Sequence, residues 1–326
     1  MQVSIIIPVY NRASVVVTTL QTVLAQTHRP LQVVLVDNDS TDATLTVLQD
    51  FKKYHESDDL QIVVTSESHH TAGAARNRGF ESATGEWILF FDSDDLMDRE
   101  LVSSYVRVIN KAHQRGVSPD LISARSTLVF PDGRQRQAPY HRRDLFAQHI
   151  LHGQLATQRY AIRREFFTAT DGWNIDLPGW NDWELGLRLL LANPHVAFMD
   201  RKHRIIINHN GADSITGTEF HSRRGQWEHV IDIMINEVRC SRLKAVHKRR
   251  FERLLNYRRL VLAAQYEREG HSASAKPLCQ QAYHALRDSY HDNRLWRWLV
   301  APATRWLFAR IAAGKRGSAR LARLLY

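Results

Sequence analysis

The 326-residue sequence holds only two cysteines, Cys240 and Cys279, without metal-ligand spacing and too few for a disulfide framework. That excludes a disulfide-stapled scaffold and a zinc module, and it fits a reducing compartment. No uninterrupted apolar run approaches the roughly 18 residues of a membrane-spanning helix. The start, Met1-Gln2-Val3-Ser4-Ile5-Ile6-Ile7-Pro8, lacks the basic region and longer apolar stretch of a signal peptide. The expectation is a cytoplasmic protein, with peripheral attachment to the inner face of the cell membrane left open. No Gly-x-Gly-x-x-Gly follows the first apolar segment and there is no Gly-Lys-Ser/Thr loop, which argues against an ordinary dinucleotide domain and against P-loop chemistry. Internal repeats and low-complexity segments are also lacking.

What is present is a composition with 44% apolar residues, enough for a full core. Val3–Val9 is a continuous run of a kind that strands show when both faces are buried. Helical spacing follows over 13–25, then apolar segments at 31–36, 61–65 and 86–91 alternate with helical patterns at about 41–54 and 72–83. This β-α-β-α-β-α-β order predicts a Rossmann-like, mostly parallel sheet flanked by helices. Further on, the pattern predicts a helix over 98–115, strands over 121–130, 158–162 and 204–208, a helix over 182–191, and a helical remainder. Charge divides the chain in the same sense. Residues 216–326 carry 22 Lys+Arg against 9 Asp+Glu, whereas the whole chain is only +10. A mildly acidic domain over 1–215 and a basic helical extension over 216–326 are expected.

The densest chemistry lies in Phe90-Phe91-Asp92-Ser93-Asp94-Asp95, where carboxylates follow a buried-strand signal. Open α/β sheets bind ligands at this edge. Clustered carboxylates repel one another, so they sit on a cation or in solvent, and an oxygen-only ligand set suits Mg²⁺ or Mn²⁺ bridging to a phosphate. The plainer reading is a polar turn with helix-capping acids.

Several blocks, in order, resemble the family 2 inverting glycosyltransferases with the GT-A fold. They are Val3-Ser4-Ile5-Ile6-Ile7-Pro8-Val9-Tyr10-Asn11, then Val34-Leu35-Val36-Asp37-Asn38-Asp39-Ser40-Thr41-Asp42, then Gly73-Ala74-Ala75-Arg76-Asn77-Arg78-Gly79, then Asp92-Ser93-Asp94-Asp95. The last is Asp171-Gly172-Trp173-Asn174 with Pro178-Gly179-Trp180-Asn181-Asp182-Trp183-Glu184. The likeness covers roughly residues 1–215. It implies a nucleotide-sugar donor, a UDP-sugar first, and a glycan or lipid-linked glycan acceptor of bacterial surface polysaccharide synthesis.

By the same resemblance Asp94 binds the metal and Asp92 contacts the donor sugar or ribose. Pro8, Tyr10, Asn11, Asp37 and Asn38 face the nucleotide base. Asn38 stands where many relatives have a second Asp, though its oxygen can still accept the imide N–H of uracil. Arg76 and Asn77, at a helix start, suit an anionic diphosphate. Asp182 is the expected catalytic base, with Glu184, two residues on and also on the acceptor side, as its rival for that role. Residues at i and i+2 of a helix do not share a face, so only one of them is expected to point at the acceptor. The flanking acid common in relatives is here Asn181. His209 is expected to complete the metal shell, and residues 214–217 to close over the phosphates. Trp180 and Trp183 suit either stacking on a sugar or core packing.

The basic extension interleaves Trp296, Trp298 and Trp306 with arginines. That composition fits an anionic membrane surface, and equally a helical bundle with a tryptophan core. No base-reading motif is present, so no nucleic-acid partner is expected. Two other classes stay open: a non-catalytic GT-A-fold scaffold, and a sugar-nucleotide nucleotidyltransferase. The second would want a Gly-rich phosphate loop where Pro8-Val9-Tyr10-Asn11-Arg12 stands.

Overall fold

A computed structural model of the chain describes residues 1–199, 205–208, 220–290, 294–315 and 317–326. The chain separates into one unit of Met1–Arg142 with Gln154–Gly211 and another of Arg143–Gly153 with Ala212–Tyr326. The expected boundary at 215 and the segment 214–217 lie outside the described residues.

The first unit opens with β1 (Val3–Val9), α1 (Val16–Leu24), β2 (Leu31–Asp37), α2 (Thr44–His55), β3 (Leu60–Ser66), α3 (Ala72–Ser82) and β4 (Trp87–Phe90). The strands read as unbroken apolar runs because both of their faces are covered. Val3, Ile5, Ile7 and Val9 share a core with Val16, Leu20 and Val23 of α1 and Leu48 and Phe51 of α2. On the other face α3 lies so close that a Cβ on Gly79 would meet Ile6 Cγ2 at 2.3 Å. At the amino edge of the sheet, Ser4 Oγ donates to Gln32 Oε1 (2.6 Å) and accepts from Gly85 N (2.8 Å), so two buried polar side chains anchor the loop into β4.

The unit continues through β5 (Leu96–Met97), α4 (Leu101–His113), β6 (Leu121–Ser123), β7 (Thr127–Val129) and β8 (Gln135–Gln137). Beyond α5 (Leu145–His152), which belongs to the second unit, come β9 (Tyr160–Arg163), α6 (Arg164–Thr168), α7 (Asn181–Leu191), β10 (Val196–Phe198) and β11 (Ile205–Asn208). The main sheet has seven strands in the order β10-β6-β9-β4-β1-β2-β3. All run parallel except β9, which pairs antiparallel with both β4 and β6. Tyr160, at the start of β9, therefore stands opposite Ser123 at the end of β6, and the residues before it reach the carboxyl edge.

The single strand expected over 121–130 is in fact β6 and β7, in different sheets. Ala124 N bonds Arg159 O at 2.7 Å, after which the chain leaves the main sheet and enters a four-stranded one of order β5-β11-β7-β8.

The second unit is helical: α5, α8 (Gln226–Cys240), α9 (Ala245–Arg268), α10 (Ser272–Asp288), α11 (Arg294–Ala312) and α12 (Ser318–Leu325). Helix α9 touches each of the others. Asp144 gives its two carboxylate oxygens to Arg250 (2.9 and 2.6 Å), and Phe146 stacks on Phe251 at 4.5 Å. The core is built from Trp227, Leu254, Leu255, Tyr257, Tyr266, Leu286, Val300 and Leu307. It does not include the tail's tryptophans, contrary to the bundle-core reading: Trp298 is 74% and Trp306 50% exposed. Among the described residues no helix is long and apolar enough to cross a membrane.

Candidate active site

The parallel strands deliver their following loops to one edge, and most of the expected site residues are there. Pro8 is tolerated in a central strand for a geometric reason. Ile6 O accepts from Phe91 N at 2.9 Å, so residue 8 faces the same side, beyond the last β4 pair at Phe90, and its missing N–H costs no ladder bond. Asn11, at φ 48°, accepts from Thr41 N through Oδ1 (2.8 Å) and donates its own N–H to Ser40 Oγ (3.0 Å). The loops after β1 and β2 are thereby fastened together. Tyr10 between them is 51% exposed, a ring held on a fixed base and set edge-on to His70. Asn38 is spent largely on structure: its Nδ2 donates to Glu67 O (3.0 Å) and His69 O (2.8 Å). Asp37 is buried; Oδ2 accepts from Ser40 N, while Oδ1 has no hydrogen-bond partner among the described residues.

Thr71 caps α3 by accepting from Ala74 N (3.2 Å), and Arg76 follows in the second turn. Its Nη2 donates to Asp92 Oδ1 at 2.7 Å, and the guanidinium lies 4.5 Å from the Trp173 ring centre. Its Nε and Nη1 are buried without a hydrogen-bond partner among the described residues. Trp173 is held in turn. Asn77 receives Trp173 N on Oδ1 and donates Nδ2 to Trp173 O, both at 2.9 Å. The Asn77 amide thus fixes the shelf under Arg76 rather than facing the edge itself. Glu184 also works from behind. It is fully buried and gives its two oxygens to Arg188, whose guanidinium donates to Thr170 O and Gly172 O.

The acidic turn after β4 is pinned by Thr19, whose hydroxyl is 2.8 Å from both Ser93 O and Asp95 O. Asp95 accepts from Gln158 Nε2 and so supports the turn. Asp92 and Asp94 are half-buried. Burial and the neighbouring negative charge of Asp92 push the Asp94 carboxyl up, with Arg12 pulling the other way. Two carboxylates in mutual repulsion are an oxygen-donor pair that a divalent cation would relieve. Among the described residues no group of three His, Cys, Asp or Glu could hold a metal. His209 lies outside the described residues.

Asp182 sits in the first turn of α7. Burial raises its pKa; Arg76 opposes this, Asp92 adds to it, and the N–H groups of Trp183 and Thr157 again oppose it. Asp182, Arg76 and Asp92 therefore lie within one another's fields. Trp180, immediately before α7, has φ 54°, a left-handed conformation that costs a non-glycine residue about 1 kcal/mol or more. Its ring meets Trp183 edge-on at 5.3 Å.

Tyr160, Gln158 and Arg188 join the site without any sequence signal of their own, whereas Trp173 lies in the Asp171–Asn174 block that carries the resemblance. Tyr160 is buried, its hydroxyl has no partner among the described residues, and its pKa is raised by burial and by Asp182. Only the antiparallel insertion of β9, a long-range event, brings it there.

Comparison with known proteins places this arrangement. Residues 4–168 match Glycosyl transferase family 2. A poly(ribitol-phosphate) beta-glucosyltransferase of Bacillus spizizenii is 35% identical over 102 residues, 31% of this chain and 16% of that one. The chain spans only part of these relatives, 58% in the case of a Nostoc glycosyltransferase that is 30% identical over 192 residues. Among solved structures, S. aureus TarS in complex with UDP-GlcNAc superposes with a TM-score of 0.69 at 18% identity, over 99% of this chain and 91% of that one. A Pyrobaculum calidifontis mannosyltransferase with GDP-Man and Mn²⁺ gives 0.55 at 18%, over 98% and 77%. The fold is GT-A, and the chain belongs to glycosyl transferase family 2.

Proposed function

We propose that this chain is a metal-dependent, inverting glycosyltransferase that moves a sugar from a nucleotide donor, a UDP-sugar first, to a hydroxyl of a glycan or lipid-linked glycan acceptor in surface polysaccharide synthesis. Residues 1–215 would form its catalytic domain and 216–326 a basic extension. The observation that carries the reading is Arg76. A buried guanidinium with two N–H-bearing nitrogens unsatisfied, at the carboxyl edge and beside Asp92 and Asp182, is a site prepared for an anion. The fold shared with a UDP-GlcNAc complex and with a GDP-Man and Mn²⁺ complex supports the donor class.

On this reading Tyr10 stacks on the base and Asp37 Oδ1 accepts the imide N–H of uracil. Arg76 takes the diphosphate. Asp94, with Asp92 beside it, offers carboxylate oxygens to Mn²⁺ or Mg²⁺, His209 remains a candidate further ligand, and such a cation when bound offsets charge on the departing diphosphate. Asp182 accepts the proton of the acceptor hydroxyl as its oxygen bonds to the anomeric carbon, and the electron pair of the breaking bond leaves with the diphosphate. Trp180 forms an acceptor-side wall, a use that would account for a strained tryptophan at this turn.

The test is a panel of UDP-, GDP- and dTDP-sugars with Mn²⁺, read as released nucleoside diphosphate. Expected are turnover of one donor, loss on adding EDTA or in Asp94→Ala, and retained donor binding without turnover in Asp182→Asn. If calorimetry detects binding of none of these nucleotides, the enzyme reading fails.

A further inference from the structure

We propose that the outward face of α11 docks on an anionic lipid surface. At 100° per residue, Leu295, Leu299, Pro302 and Trp306 fall within a sector of about 60°, and all are exposed, Leu295 at 66%. Trp298, the most exposed tryptophan of the helix, borders that sector. The opposite side carries Val300, Thr304 and Leu307, all buried in the bundle. Helix α11 is therefore apolar on two sides, and its own unit covers only one of them. Scattered exposed apolar residues need no explanation, but an aligned row of leucine and tryptophan does.

Charge selects the occupant. Residues 294–326 contain eight Lys and Arg and no Asp or Glu. Arg305, Lys315 and Arg320 are exposed, and Arg310 lies 4.9 Å from the Trp306 ring centre. A second copy of the chain docked through this same face would bring like positive charge against it and be repelled. A bilayer carrying anionic headgroups attracts it, takes indole rings at headgroup depth, and buries the leucines just below. Such a helix lies in the interface rather than across it. The proposal concerns the second unit alone and stands whether or not Asp182 is a catalytic base.

The test is flotation of the full chain with vesicles of phosphatidylcholine alone and with vesicles in which about a third of the lipid is phosphatidylglycerol. The chain should float with the anionic vesicles at low salt, and poorly with the neutral ones or at high salt. Trp298→Ser with Trp306→Ser should lower partition about tenfold or more. Both side chains are largely exposed, so circular dichroism and the urea midpoint should be unchanged. Arg305→Gln with Arg320→Gln should weaken the preference for anionic vesicles. The proposal is overturned if the wild-type chain stays in solution with anionic vesicles, or if the tryptophan variant floats as well as wild type. It is also overturned if those substitutions instead abolish a self-association seen by sedimentation while vesicles are ignored.

Discussion

Arg76 donates to Asp92 Oδ1 at 2.7 Å with its guanidinium over the Trp173 ring, so one side chain joins the helix after β3 to the acidic turn after β4. The pair is buried on the arginine side and more open on the aspartate side. A planar guanidinium can hold Asp92 with one nitrogen, lie on an indole, and still present other N–H groups to a ligand. An ammonium cannot do all three.

Arg76→Lys should therefore weaken UDP binding about tenfold to a hundredfold, the loss of roughly 1.5–3 kcal/mol of charge-assisted hydrogen bonding. Titration calorimetry with UDP and Mn²⁺ measures this. An unchanged Kd would remove Arg76 from the diphosphate site.

The Glu184–Arg188 pair should be structural. Glu184→Ala leaves Arg188 with its backbone partners at Thr170 and Gly172 but without its buried counter-charge. Breaking such a pair from one side costs about 3 kcal/mol or more, visible as a lower urea midpoint. Asp132→Asn, which breaks an exposed ion pair with Arg134, should give no resolvable change. If the two substitutions behave alike, the brace under Trp173 is unimportant.

The contrast between Asp182 and Glu184 shows what a sequence can reveal. Burial on both faces makes parallel strands nearly uniform in composition, so β1, β2 and β4 were legible, and with them the loops that carry Tyr10, Asp37 and Asp92. Strands of two or three residues, such as β5, β7 and β8, have too little pattern to register, and the antiparallel pairing of β9 depends on partners distant in the chain. The acids and amides were legible as polar groups. Which of them turns to the edge and which to a backbone carbonyl or a buried arginine depends on rotamer and packing: the amides of Asn38 and Asn77 donate to backbone carbonyls, and Glu184 pairs with Arg188.

Gly79 gives a sharper packing test. A methyl group there would sit 2.3 Å from Ile6 Cγ2 and 3.0 Å from Val36 Cγ2, both on fully buried residues of β1 and β2. Gly79→Ala raises intrinsic helix propensity by about 1 kcal/mol, yet it should lower stability by about 1–3 kcal/mol because the helix must lift from the sheet. Urea denaturation should show a lower midpoint with an unchanged slope. A stabilised variant would mean that α3 moves away at little cost.

The pH profile tests Asp182 through its neighbours. Burial holds its carboxyl above the ordinary carboxylate value, Arg76 pulls it down, and Asp92 pushes it up. A general base works only when ionised, so kcat/KM should fall about tenfold per pH unit below that pKa and level off above it. Asp92→Asn removes a negative charge, makes ionisation of Asp182 easier and should move the acid limb to lower pH. Arg76→Gln removes a positive charge and should move the limb to higher pH. The measurement is residual kcat/KM against pH for both variants at matched ionic strength. Opposite displacements are expected; a limb that stays put, or moves the same way in both, belongs to some group other than Asp182.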